Sequence, residues 1–388
     1  MKNRETSMVI ENASIVTPAG VLRDASVKIV DGVIAEIGSK LEGPGPRIDA
    51  GGMYLLPGII DLHSDAIETE IQPRPGVLFP LNMVILEMDK KVAAAGVTTL
   101  YHAICFIDGG GWVRDREQAN SVIREISRLA PQLNIRTKIH VRFDILGEKT
   151  VPYVDKLLDE GKVQLFSVMD HRPGQGQLRE KTPENFKQLG LSPGNLDQFA
   201  GISLRTDYVR RLVERCHASG IPVASHDDDT EEKLNAIQQM GIAISEFPVT
   251  MEAAASAARR GMYVCFGSPN VVRGVSNSGN LSAREAIMAG FGDILCSDYV
   301  PMSMIHAVFI LEKAGMPIYQ AVNMVSLNPA RAAGISGYTG SIETGKKADL
   351  IIVELLPEGP KVLKTFVEGR EIYSTYCPPS GPTAQRSV

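Results

Sequence analysis

The chain has 388 residues, 44% hydrophobic and 22% charged, ordinary for a soluble globular protein with one large domain and a smaller one. A net charge of −5 argues against a nucleic-acid surface, which shows as a basic patch, but leaves room for a small anion held locally by arginines or a metal. No apolar run spans a bilayer, the start from Met1 to Ser7 lacks a signal-peptide core, and Cys105, Cys216, Cys265, Cys296 and Cys377 form no Cys-x-x-Cys pair, so a cytoplasmic protein without membrane partner, disulfide framework or thiolate zinc site is expected.

Residues 1–56 alternate short β-rich runs (8–10, 14–16, 25–30, 33–37) with turns, and Asp31-Gly32 is a hairpin signal. Pro57-Gly58 then releases the apolar run Ile59-Ile60-Asp61-Leu62-His63-Ser64-Asp65, which reads as a strand buried on both faces with Asp61, His63 and Asp65 on one side. Over 57–335, strand-like runs at 59–65, 97–106, 136–145, 163–170, 221–227, 242–246, 262–267 and 293–298 alternate with helical stretches. Among those helices are Met83–Ala95, Arg116–Arg128, Asp207–Ser219, Glu231–Met240 and Met251–Arg260. Gly96, Gly161, Gly220, Gly241 and Gly261 precede strands, as helix C-caps do. The pattern predicts an α/β fold, a (β/α)8 TIM barrel; a doubly wound sheet lacks support because no Gly-x-Gly-x-x-Gly follows the first strand. The insertion at 172–205, with Pro173, Gly174 and Gly176, reads as a lid or substrate loop. Residues 336–375 are β-rich again (348–353, 364–367, a turn at 368–370) and are expected to pair with 1–56 into a small β-sandwich. The Pro-, Ser- and Gly-rich stretch 376–388 is expected to be a disordered tail.

The chemistry collects at the strand ends, where a β/α barrel keeps it. Strand one ends in His63 and Asp65, strand three in Arg142 and Asp144, and strand four in Asp170-His171. Strand five ends in Ser225-His226-Asp227-Asp228, strand six in Glu246, and strand eight in Ser297-Asp298. An unpaired buried charge costs several kcal/mol, and metal coordination relieves that cost. Imidazole with carboxylate and no thiol suits zinc, manganese or iron. His102, His140, His217 and His306 rank as weaker site histidines, and Asp227, Asp228 and Asp229 read equally well as caps of the following helix. No P-loop is complete: Gly340 to Gly345-Lys346 continues with Lys347 where Ser or Thr is needed. The run Asp108 to Gly111 could wrap an anion with backbone amides, or be an ordinary loop. Arg74, Arg142, Arg172 and Arg273, with Asn270 and the Ser276–Asn280 run nearby, favour an anionic ligand, since guanidinium pairs well with phosphate.

Taken together, the Leu56-to-His63 lead-in, Asn328-Pro329-Ala330-Arg331 and Gly345-Lys346-Lys347-Ala348-Asp349-Leu350-Ile351 resemble the amidohydrolase superfamily. Two positions depart from its usual pattern: His63-x-Asp65 replaces His-x-His, and Glu246 stands where strand six has a histidine. These departures, with Pro73-Arg74-Pro75, Ser167 to His171, Ala224 to Asp228, Glu246-Phe247-Pro248, Pro269 to Gly274 and Ser297-Asp298-Tyr299, are similar to the PhnM family of the carbon–phosphorus lyase pathway. The resemblance implies a diphosphatase that hydrolyses α-D-ribose 1-methylphosphonate 5-triphosphate to the 5-phosphate and pyrophosphate. It implies one or two divalent ions, zinc first with manganese or iron as alternatives, on His63, Asp65, Asp144, His171, His226 and Glu246. Asp298 would be the proton-transfer aspartate, and Arg74, Arg142, Asn270, Arg273, Ser278 and Asn280 the contacts to a small phosphorylated ribose. An amide or cyclic-amide hydrolase and a non-catalytic assembly protein stay open as alternatives, as does a homo-oligomer.

Overall fold

The computed structural model describes residues 7–107, 111–172, 174–178, 203–204, 206–276 and 279–375. The start of the Gly-rich run at 108–110, most of the expected lid, Ser278 and the expected tail lie outside the described residues.

Both ends of the chain enter one eight-stranded, largely antiparallel sheet. From the N-terminal side it takes β1 (Ser7–Thr17), β2 (Gly20–Val30), β3 (Val33–Gly38), β4 (Arg47–Asp49) and β5 (Tyr54–Pro57). The barrel follows with β6 (Ile59–Ser64), β7 (Val97–Phe106), β8 (Arg136–Asp144), β9 (Leu165–Met169), β10 (Val223–His226), β11 (Ile244–Glu246), β12 (Tyr263–Gly267) and β13 (Ile294–Cys296). The chain then returns to the first sheet with β14 (Leu350–Leu356), β15 (Gly359–Val367) and β16 (Arg370–Ser374). The terminal sheet has the order β16-β15-β14-β5-β1-β2-β3, with β4 also on β1, and β14 pairs antiparallel to β5 from Leu350 opposite Pro57. Ile10, Ile15, Val27, Ile29, Leu55, Ile352 and Phe366 form its core, to which both ends of the chain contribute. Asp31 (φ 48°) and Gly32 (φ 78°) make the expected hairpin turn, both central residues left-handed, the backbone twist that suits tight hairpins.

The barrel strands are parallel in chain order, and their residues are almost all buried, which explains the continuous apolar runs in the sequence. The five predicted capping glycines have φ between 65° and 86°. Asp115, Thr230 and Thr250 accept hydrogen bonds at the starts of the helices 116–129, 231–239 and 251–259. Because Thr230 performs that cap, Asp227, Asp228 and Asp229 are not needed for it. Barrel closure runs between β13 and β6. At the foot, Ile60 and Leu295 N–H groups donate to the carbonyls of Val325 (2.9 Å) and Met324 (2.9 Å). At the mouth, Asp298 N–H donates to the His63 carbonyl (2.9 Å) and Asp65 N–H to the Asp298 carbonyl (2.9 Å).

The same foot joins barrel to terminal sheet. Arg136 at the start of β8 pairs with Asp349 and with Glu368 (2.8 Å). Asp349 also accepts from the Thr339 hydroxyl (2.6 Å) and the Glu368 N–H (3.0 Å). The exit motif around Asp349 therefore has a structural task far from the strand ends.

Candidate active site

Three of the short strands end in the same way. Asp227 (φ 55°), Phe247 (φ 54°) and Asp298 (φ 54°) follow β10, β11 and β13 in the left-handed region, which is uncommon outside glycine and an outlier for a bulky residue. Each N–H crosses to the next strand: Asp227 to the Glu246 carbonyl (2.9 Å), Phe247 to that of Cys265 (2.8 Å), Asp298 to that of His63 (2.9 Å). The ladder is thus continued for one residue while the backbone bends over the barrel mouth.

A cavity of about 350 Å³ opens there, lined by residues that include Asp65, Asp144, His171, His226, Asp227 and Asp298. Arg114, Arg142, Arg273, Asn270 and Asn280 are also part of its lining. His63 and Glu246 lie beneath, each 1% exposed, with His63 Nδ1 3.3 Å from Glu246 Oε1. His171 Nδ1 is 2.6 Å from Asp144 Oδ2, and His226 Nδ1 is 3.0 Å from Asp227 Oδ2. The Phe247 ring packs 5.0 Å from His63 and 5.1 Å from His226, fixing both imidazoles.

The charges are strongly coupled to their surroundings. Burial works against the Asp65 carboxylate, but Arg142, 3.1 Å away, together with His63 and Arg114, holds its pKa below the ordinary value. Burial, then the nearby Asp65 carboxylate, pushes Asp298 up to about 7. Burial, followed by the positive charge of Arg142, keeps His63 neutral well below its usual pKa. His171 moves the other way: burial lowers it, but the Asp144 carboxylate raises it more.

The donor set fits a divalent cation. His63, Asp65 and Asp298 offer ligand atoms within 4.8 Å of one another. Among the described residues, His63 Nδ1, both ring nitrogens of His226, Asp227 Oδ2 and Glu246 Oε2 are buried without a hydrogen-bond partner. Orphaned buried polar atoms are rare in folded proteins, and imidazole with carboxylate oxygen suits zinc, manganese or iron.

The match to the Amidohydrolase family covers residues 193–372. The alpha-D-ribose 1-methylphosphonate 5-triphosphate diphosphatase of Escherichia coli (strain K12) is 32% identical over 381 residues, covering 94% of this chain and 100% of that protein. The chain belongs to the amidohydrolase superfamily. Within the superfamily it belongs to the PhnM family that the strand-end motifs resemble. An adenine deaminase of Clostridium botulinum (strain 657 / Type Ba4) is 24% identical, over 93% of this chain but only 56% of the deaminase. The L-hydantoinase (dihydropyrimidinase) of Arthrobacter aurescens shares the fold, with a TM-score of 0.64 at 15% identity, over 95% of this chain and 96% of the other. This chain is therefore an amidohydrolase-superfamily enzyme with a near-closed parallel barrel and a separate terminal sheet.

The site gathers most of the residues expected from the sequence, and adds some. His63, Asp65, Asp144, His171, His226, Glu246, Arg142, Arg273, Asn280 and Asp298 all lie in or directly beneath the cavity. Asn270 lines it as well, but its side chain staples two segments, donating to the Leu281 carbonyl (3.0 Å) and accepting from Ala283 N–H (3.0 Å). Arg74 is on an exposed turn outside the cavity lining. Asp61 serves the barrel closure, accepting from Ser297 N–H at 3.0 Å. Arg114, Asp227 and His140 are the additions. Arg114 follows the end of β7 and donates to Glu68 (2.9 Å), 3.9 Å from Asp65. Its place between the end of β7 and the helix 116–129 was the available signal. His102 is buried on β7, and His217 reaches the Met240 carbonyl (2.9 Å), so neither joins the cavity lining.

Proposed function

We propose that this chain is a metal-dependent diphosphatase that hydrolyses α-D-ribose 1-methylphosphonate 5-triphosphate to the 5-phosphate and pyrophosphate, as a cytoplasmic enzyme acting on a small phosphorylated sugar. The observation that carries the proposal is the joining of an imidazole–carboxylate floor to three arginines, Arg114, Arg142 and Arg273, in one cavity. Guanidinium groups around such a floor suit a polyanion, whereas a neutral amide carries no charge for them to recognise. The full-length likeness to the E. coli diphosphatase supports the same substrate.

One or two divalent ions, zinc first and manganese or iron next, would be held by His63, Asp65, Asp144, His171, His226 and Glu246, and when bound would make water more acidic and offset phosphate charge. Asp298, raised to about 7 by burial and Asp65, is matched to proton transfer near neutrality and takes the proton of the attacking water. Attack falls on the phosphorus nearest the ribose. Arg142 and Arg273 neutralise phosphate oxygens as charge builds on the departing pyrophosphate. Asn280 and Ser278 would contact the polar groups of the substrate, and Arg74 its outer end.

Phosphorus NMR of the purified enzyme with this triphosphate tests the reading. Pyrophosphate is the expected first product. Orthophosphate first would defeat this reading, and turnover of dipeptides and hydantoins with the triphosphate untouched would favour the amide-hydrolase alternative. Arg273→Ala should lower kcat/KM roughly tenfold or more at unchanged metal content, the loss of one charged hydrogen bond worth about 1.5–3 kcal/mol.

A further inference from the structure

The geometry points to a metal ion beneath the cavity floor, held by His63, His140 and Glu246, with His140 as a ligand in the middle of a barrel strand. The inference rests on the metal-dependent reading above and concerns where the ion sits. On β8 the side chains of His140, Arg142 and Asp144 share one side at alternate positions. Arg142 and Asp144 reach the cavity, while His140 is fully buried one layer deeper.

The tautomer of His140 decides its chemistry. Its Nδ1 is 2.9 Å from the Leu62 carbonyl, which can only accept, so Nδ1 carries the proton and Nε2 a lone pair. That lone pair faces Glu246 Oε2 at 3.9 Å, and neither atom has a hydrogen-bond partner among the described residues. His63 Nδ1, 3.3 Å from Glu246 Oε1, is the third unpartnered atom. The three residues present ligand atoms within 4.8 Å of one another, and all three side chains are at most 1% exposed.

Acceptors that face each other in a dry interior are costly unless a cation lies between them. A proton shared between His140 Nε2 and Glu246 Oε2 would have to bridge 3.9 Å, well beyond hydrogen-bond length. A zinc-sized ion at about 2.0–2.2 Å from each donor satisfies all three. The Leu62 carbonyl that orients the His140 Nδ1–H is the kind of outer partner that metal-bound imidazoles keep. A neutral imidazole has one lone pair, so His63 given to this ion leaves Asp65, Asp144, His171 and His226 to serve the cavity above.

Diffraction at the zinc edge on crystals of the wild-type holoenzyme tests this directly. An anomalous peak among His63, His140 and Glu246 is expected, and a peak only among the cavity-lining residues would overturn the inference. In solution, His140→Ala and His140→Gln should each lose about one equivalent of zinc per chain by mass spectrometry, or bind it roughly 100-fold more weakly in chelator competition. Variants with wild-type stoichiometry and affinity would put a proton there instead. Should both variants misfold, the wild-type diffraction decides alone. The product assay is independent: pyrophosphate release without a deep peak sinks this inference and leaves the proposed reaction standing.

Discussion

Strand β8 carries an arginine at each end, and the two are treated in opposite ways. At the foot, Arg136 has its partners supplied: Asp349 and Glu368, with Thr339 completing Asp349 and Lys347 completing Glu368 (2.6 Å). At the mouth, Arg142 meets Asp65, but its Nε has no partner among the described residues, and His226, Asp227 and Glu246 nearby are also incompletely bonded. The same residue type thus marks stability at one end and readiness for a ligand at the other. Completion of hydrogen bonding, more than the presence of charge, separates the two ends.

Substitutions can sharpen that contrast. The largest effect is expected for His226→Ala, which should strip metal and lower turnover by several orders of magnitude while circular dichroism shows the fold intact; near-normal metal and rate would make His226 a packing residue. Asp298→Asn comes next, keeping the metal but losing roughly 10²–10⁴-fold in kcat, since an amide holds a water but takes no proton. An unchanged kcat in the metal-loaded variant would remove Asp298 from proton transfer. At the foot, Arg136→Ala leaves the buried Asp349 charge uncompensated and should cost about 3–5 kcal/mol in urea unfolding, with kcat of the folded enzyme preserved. A loss of kcat without a loss of stability would contradict the division between the ends. The smallest effect is that of Glu368→Gln. Lys347, then Arg136, hold the Glu368 carboxyl down to about 2, from an ordinary 4.5. A depressed carboxyl stabilises the fold fully above its unfolded pKa and loses that contribution as pH falls through the folded one. The wild type should therefore lead Glu368→Gln at about pH 6, by less than about 1 kcal/mol because the side chain is half exposed, and the lead should fade below about pH 4. A lead that instead grew on acidification would reverse the assigned sign.

Long-period features were legible in the sequence. Eight apolar runs, the glycines that close the helices before five of them, and Asp31-Gly32 each encode geometry locally, and the structure places them as expected. Strand ends were legible too, because ionisable residues at the close of apolar runs need a reason to be there. What stayed hidden depends on neighbours distant in sequence. His140 is a lone histidine inside an apolar strand until Leu62 fixes its tautomer and Glu246 faces it. Asp227 was indistinguishable from Asp228 and Asp229, yet only Asp227 lines the cavity; Asp228 accepts from the Ser225 and Ser245 hydroxyls (both 2.5 Å), and Asp229 from Gly176 N–H (2.8 Å). Asn270 sits in a motif that reads as ligand-binding, but its amide is committed to chain segments.

The left-handed residues at the mouth have a consequence for anyone who tries to harden this enzyme. Asp227, Phe247 and Asp298 hold a conformation that glycine adopts at no steric cost, and for Phe247 in particular glycine removes an unfavourable φ. A screen for heat resistance alone should therefore collect glycine wherever the relieved backbone outweighs the lost side-chain contacts, at Asp227 and Asp298 before Phe247. Each such gain would delete a cavity carboxylate or the ring that seats His63 and His226. Selection for durability and selection for turnover pull in opposite directions at these three residues.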